Sequence, residues 1–132
     1  MDNKGFSLVE LLVVILVLAV LTGISIPAYG LITARARESA TESEMMNIAR
    51  ALELHNSDSQ HYPLPEDYPE ALQDNDYMDR IPAGDAWDCP YSYDSDGSTY
   101  IITSSGKDGI LGNGDDITVS DGTLISEGAY SN

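Results

Sequence analysis

The chain has one cysteine, Cys89, in 132 residues, so no disulfide can form within it. No partner set of Cys and His accompanies that thiol, and the expectation is a buried residue acting as a small apolar side chain. Basic residues are scarce too: 6 Lys and Arg stand against 22 Asp and Glu, a net charge of −16. A grip on nucleic acid needs clustered Lys and Arg, so nucleic-acid binding is excluded, as is docking of the acidic part on an anionic lipid surface. The two histidines, His55 and His61, are expected on the surface near a helix end. There is no His-Glu-x-x-His pair and no Gly-x-Ser-x-Gly elbow. Nothing assembles a nucleophile, a base and an orienting group, so an enzyme is not expected.

What the chain does have is a long apolar run from Phe6 to Tyr29, broken by Glu10 and a few Ser, Thr and Gly. A helix needs roughly 20 such residues to cross a bilayer. A lone strand of this length would leave its backbone groups unpaired in lipid. One reading is a cleaved secretory signal, for which Ala34-Arg35-Ala36 offers a small-x-small site. Such signals have a basic start and an apolar stretch of roughly 7–15 residues. Here the run is longer, Asp2 offsets Lys4, and the candidate site lies well past the apolar run, so that reading is set aside.

Lys4-Gly5-Phe6-Ser7-Leu8-Val9-Glu10 resembles the prepilin peptidase site of type IV pilins and type II secretion pseudopilins. The resemblance implies a cut after Gly5, N-methylation of Phe6, and Glu10 in the place of the glutamate that this family carries fifth after the cut. Pro27 falls where many members have a helix-kinking proline. Physical chemistry bears on Glu10 independently. A carboxylate at a bilayer centre costs roughly 2.5–3.5 kcal/mol on insertion scales, and less near a helix end. A freed α-amino group at Phe6 would supply a cation one turn away. If protomers stack with an offset, Glu10 of one can neutralise the Phe6 amine of the next and favour a single stagger. The competing reading is an acid that simply reaches the headgroups.

Beyond Tyr29 helix formers continue, rich in Ala, Glu, Arg, Met and Leu. Met45, Ile48, Ala49 and Leu52 recur at i, i+3, i+4 and i+7, one apolar stripe expected to pack on the rest of the chain. Arg35, Glu38, Glu42, Glu44 and Arg50 are expected mostly on the opposite side. A helix from Phe6 to about Asn56 would measure on the order of 75 Å. Pro27 removes a backbone donor and crowds the preceding turn, so a kink or melted turn is expected there, most of all in an assembled filament.

Prolines at 63, 65, 69 and 82 predict an irregular connection with a short helix near Pro69–Gln73. Tyr91–Asp94 and Thr99–Ser104 read as strands, with Asp96-Gly97 as the hairpin turn. Asp94-x-Asp96-Gly97 has a superficial likeness to an EF-hand loop, but Thr103 stands where the loop's closing glutamate belongs. Further strands are expected near Ile117–Val119 and Leu124–Ser126. The glycine-rich stretch Ser105–Asp116 holds Asp108, Asp115 and Asp116. Calcium takes six to eight oxygens from carboxylates and carbonyls, and glycines let the backbone curl to aim them. Plain solvated Asp-Gly turns are the alternative. Trp87, Pro90-Tyr91, Tyr100 and the run from Ser104 to Ile117 resemble the head of the major pseudopilins of type II secretion. That likeness implies one calcium, with Asp108, Asp115 and Asp116 as acidic ligands, Asn113 as an oxygen donor and Ser105 giving a carbonyl. The stretch between Tyr62 and Trp87 is shorter than is usual there, and the tail from Thr118 runs past the loop.

The expected fold is therefore α+β: a long N-terminal α-helix packed on a small antiparallel β-sheet head with a calcium-binding loop. The expected divisions are a leader at 1–5, a transmembrane and filament-core helix at 6–30, an amphipathic half at 31–56 and a globular head at 57–132. The expected function, from the resemblance, is a structural subunit that polymerises into a helical pilus-like filament, as the major pseudopilin of a type II secretion system. The alternatives are a type IV pilin for adhesion, motility or DNA uptake, and a membrane-anchored calcium-binding domain that never polymerises. Implied partners are further copies of itself, a prepilin peptidase, an inner-membrane assembly platform, minor pilins or pseudopilins, and the membrane before assembly. The implied location is the inner membrane with a periplasmic head, then a periplasmic or extracellular filament.

Overall fold

The computed structural model describes residues 4–128. Helix α1 spans Leu8–Ser59 and α2 spans Glu70–Asp74, followed by strands β1 (Ser92–Ser95), β2 (Tyr100–Ser104), β3 (Ile117–Ser120) and β4 (Thr123–Glu127). The strands form one antiparallel sheet in the order β1-β2-β3-β4. The chain divides into two units, one ending at Thr33 and one beginning at Ala34.

In the first unit the side chains from Phe6 to Ile32 are exposed, Ser25 aside. Nothing among them packs as a soluble core would. Thr22 and Thr33 do not leave their hydroxyls open: Thr22 Oγ1 donates to the carbonyls of Leu18 and Ala19 at 2.9 and 3.0 Å. Thr33 does the same to Tyr29 and Gly30, both at 3.0 Å. Such back-bonding satisfies a hydroxyl without water, which suits hydrocarbon. Pro27 lies inside α1, and the helical assignment runs through it without a break.

In the second unit α1 buries Ala34, Glu38, Thr41, Met45, Ile48, Ala49, Leu52 and His55. From Ala34 to Ile48 the spacing alternates between four and three, as one helix face demands, and Ala49 and the likewise buried Ala51 widen that face further on. The expected stripe of Met45, Ile48, Ala49 and Leu52 is thus its middle. Glu38 is not on the opposite side but 3% exposed within the stripe. His55 is buried as well, with Nδ1 2.9 Å from the His61 carbonyl and its ring edge-on to His61 and Tyr77. A helix that close to the core buries whatever occupies the facing position. α1 stops where Gln60 turns left-handed (φ 63°) while its N–H donates to Asn56 O at 2.8 Å, a C-terminal cap made without glycine.

The sheet gives the same core Tyr100 and Ile102 from β2 and Ile117 and Val119 from β3, with Tyr62, Leu72 and Ile81 closing it. Their alternation with Ile101, Thr103 and Thr118 is the period of a strand buried on one face. The β1–β2 connection is wider than a two-residue turn, since Ser95 pairs with Tyr100. Asp96 Oδ1 takes the N–H groups of Ser98 and Thr99, both at 2.9 Å, and the Ser98 hydroxyl. Those bonds, the Thr99 N–H first, hold the Asp96 carboxyl down at about 2. The two-residue turn lies instead between β3 and β4, where Asp121 (φ 49°) and Gly122 (φ 76°) both turn left-handed. Asp121 Oδ1 accepts from Tyr100 N–H at 3.0 Å and Gly122 N–H donates to the Tyr100 hydroxyl at 2.8 Å. A register shift between Thr118 and Val119 leaves Ile125 unpaired on β4. It is 64% exposed.

Candidate functional site

Two separate segments carry the expected site residues. The first is the start of the chain. Gly5 and Phe6 precede α1 in non-helical backbone, and Phe6 is 84% exposed. The Gly5–Phe6 peptide thus lies outside the helix and is exposed. Ser7 caps the helix: its Oγ accepts the Glu10 N–H at 3.2 Å. Glu10 lies in the first turn and is exposed. There its charge complements the positive end of the helix dipole. Ser7 was the functional neighbour that inspection of Glu10 alone misses. The signal was present, since Ser-x-x-Glu before an apolar run is a capping-box pattern.

The second segment is the β2–β3 connection, residues 105–116. Asp108, Asn113 and Asp115 converge in it. Asn113 Nδ2 donates to Asp108 Oδ2 at 2.5 Å, Asp108 N–H to Asp115 Oδ2 at 3.2 Å, and Asp115 N–H to Asn113 Oδ1 at 3.3 Å. Asp116 Oδ2 accepts Gly112 N–H at 2.6 Å, while its Oδ1 is enclosed and has no partner. Asp116 and Ser105 are buried, and Asp108 and Asn113 exposed. Gly106 (φ 64°) is needed where the loop closes: a Cβ there would press on the Asp115 carbonyl and come 2.7 Å from Asp115 Oδ2.

A buried network that sequence reasoning did not find secures the loop's first end. Asp85 Oδ1 accepts the N–H groups of Trp87 and Cys89 at 2.9 and 3.0 Å, and its Oδ2 takes the Ser104 hydroxyl at 2.6 Å. Ser104 Oγ in turn accepts Gly106 N–H at 3.2 Å, and Ala86 N–H donates to Thr41 Oγ1 of α1 at 3.2 Å. Nothing in the spacing of Asp85 and Ser104 announces this pairing. Cys89 is half-buried rather than buried, close to Gly109.

Among the described residues no three His, Cys, Asp or Glu side chains stand together as a metal site by themselves. The loop nevertheless fits a hard cation in kind. It offers carboxylates, a carboxamide and carbonyls within one short stretch, and one enclosed carboxylate oxygen, Asp116 Oδ1, lacks a donor.

The sequence matches the prokaryotic N-terminal methylation motif over residues 1–26 and the type II secretion system (T2SS) protein G family over residues 32–120. Similar proteins are the type II secretion system core protein G of Escherichia coli K12 and that of Aeromonas hydrophila. The first is 29% identical, covering 88% of this chain and 90% of the relative. The second is 30% identical, covering 87% and 90%. The core protein G of Pseudomonas aeruginosa is 27% identical over 88% of this chain and 94% of its own. No solved structure gives a significant match. With a methylation motif on its exposed N-terminal segment and the protein G match running from α1 to the end of β3, this chain belongs to the type II secretion system protein G family.

Proposed function

We propose that the chain is the major pseudopilin of a type II secretion system, a structural subunit that polymerises into a helical filament. The observation that carries this is the first half of α1. Its side chains are apolar and exposed, an arrangement tolerable only in lipid or against other copies. The protein G match favours this reading over a type IV pilin or a monomeric anchored domain. In it, a prepilin peptidase cuts after Gly5 and Phe6 is methylated. The apolar helix holds the subunit in the inner membrane, with the head on the periplasmic side. The assembly platform then moves it into a periplasmic filament, alongside minor pseudopilins. Glu10 sets the stagger by pairing with the Phe6 amine of a neighbour, and Pro27 is the point at which α1 yields on extraction.

The loop at 105–116 holds one calcium through Asp108, Asp115 and Asp116, with Asn113 and a Ser105 carbonyl completing the oxygens. Bound there, the ion would neutralise carboxylates that otherwise repel one another and would tie the loop down in a head without a disulfide.

Mass spectrometry of the mature N-terminus tests the filament reading, with N-methylated Phe6 the expected first residue and an intact Met1 the result that overturns it. In the same cells Glu10→Gln should leave membrane insertion unchanged and lower the yield of ordered fibres about tenfold or more, roughly 1.4 kcal/mol of lost pairing. Fibres of normal yield and symmetry would remove Glu10 from the register role.

A further inference from the structure

Where α1 ends and α2 follows lies a pocket of about 290 Å³ that neither the filament reading nor the 105–116 loop uses. His55, His61, Glu66, Asp67, Glu70 and Asp74 line it, and no Lys or Arg does. Carboxylates around one small space without a base favour a cation there. The two imidazoles select which kind.

α1 ends at Ser59, and the left-handed turn at Gln60 (φ 63°) brings His61 back beside His55. The rings meet edge-on with centroids 5.5 Å apart. His55 is only 5% exposed, yet it lines the pocket. Its Nδ1 lies 2.9 Å from the His61 carbonyl, and His61 Nδ1 lies 3.1 Å from the Tyr62 carbonyl. A carbonyl oxygen only accepts, so each Nδ1 carries the hydrogen and each neutral ring keeps its lone pair on Nε2. Neither Nε2 has a hydrogen-bond partner among the described residues. An imidazole with its Nδ1–H held by a carbonyl and its Nε2 open is how proteins orient histidine toward a metal. The ring separation fits as well. At Zn–N distances of about 2.0–2.1 Å, two imidazoles on one tetrahedral ion have centroids roughly 5 Å apart.

No third ligating side chain already stands with this pair among the described residues, so the third ligand has to swing in. Glu70 and Asp74 sit one turn apart in α2, and both are exposed and line the pocket. Either carboxylate can rotate to an ion without disturbing the core. Two nitrogens and a carboxylate suit zinc, whereas calcium takes oxygens.

We propose that His55 and His61 hold one zinc ion through their Nε2 atoms, with a carboxylate of Glu70 or Asp74 as third ligand and water as the fourth. The site is separate from the 105–116 loop and takes a different class of ion.

The test is titration of zinc into the full chain, without a histidine tag, in detergent and with millimolar calcium present throughout. One zinc should bind per chain. His61→Ala should weaken it at least about tenfold, the least that loss of even an outer partner of a metal ligand costs. The melting temperature without zinc should stay unchanged, because His61 is exposed. Glu70→Gln with Asp74→Asn should weaken zinc by a similar factor, and Asp116→Asn should not. The chain has two histidines, so nitrogen NMR of the imidazoles reads the site directly: zinc should shift Nε2 of both rings far more than Nδ1. No binding at about 1 mM zinc, unchanged affinity in His61→Ala, or a loss in Asp116→Asn as large as in His61→Ala would each overturn the site. Unchanged affinity in the Glu70, Asp74 double variant would overturn the third ligand.

Discussion

At Glu42 the acidity of the chain meets burial. The residue is half-exposed, yet its Oε1 is enclosed without a partner. Burial first, then the Glu38 and Glu127 carboxylates, hold its carboxyl above the ordinary 4.5. A carboxyl whose folded pKa exceeds its unfolded value binds more protons in the folded state, so stability falls as pH rises through that window. The penalty is complete above the folded value and absent below 4.5. Glu42→Gln should therefore raise the melting temperature near neutral pH and flatten its climb on acidification. Equal melts at neutral pH would show that the site relaxes around the charge. Residues of this kind were the least legible in the sequence. Glu38 and His55 read as surface side chains because they are polar, while their burial comes from position on a face whose neighbours are apolar. That 105–116 is a connection between strands was legible for the opposite reason: its glycines and aspartates mark a loop by their chemistry, whatever packs against it.

The second half of α1 is held by one face, and its energetics follow from that face. Leu52 is fully buried within the Met45–Leu52 stripe, whereas Leu54, two residues on, is 55% exposed. Leu52→Ala should cost the head about 2–5 kcal/mol, and Leu54→Ala about 0.5 kcal/mol or less, by chemical denaturation. Comparable losses at both positions would contradict the facing assigned to the helix. This stripe could be read from the sequence because its period of 3.6 survives any detail of the partner surface. Turns were read less well. Asp96-Gly97 and Asp121-Gly122 are the same dipeptide, yet only the second makes a two-residue hairpin turn. The difference lies with Ser98 and Thr99, whose amides prefer the Asp96 side chain, a competition no dipeptide rule contains. The shift between Thr118 and Val119 was likewise invisible, because both β3 and β4 alternate regularly on either side of it.

For the whole molecule, the question is what fastens a small head without a disulfide. If calcium does so, a fragment beginning at Ala34 should melt at a higher temperature in millimolar calcium than in chelator. Extracellular calcium modules have dissociation constants of roughly 10⁻⁴–10⁻³ M. A tenfold excess over such a value is worth about 1.4 kcal/mol. Asp116→Asn should erase the difference, and identical melts of the unsubstituted fragment would remove calcium from the account. The strand order has a consequence for how the head comes into being. Each strand pairs with its neighbour in the chain, so every sheet contact closes a local loop, and local closures are fast. As the chain emerges during synthesis, the sheet can grow from β1 outward in the order its strands appear. The longest closure is the one spanning residues 105–116, between β2 and β3. A cation held there would shorten the search at the slowest joint, so the ion's supply would govern how quickly new heads mature as well as how long they last.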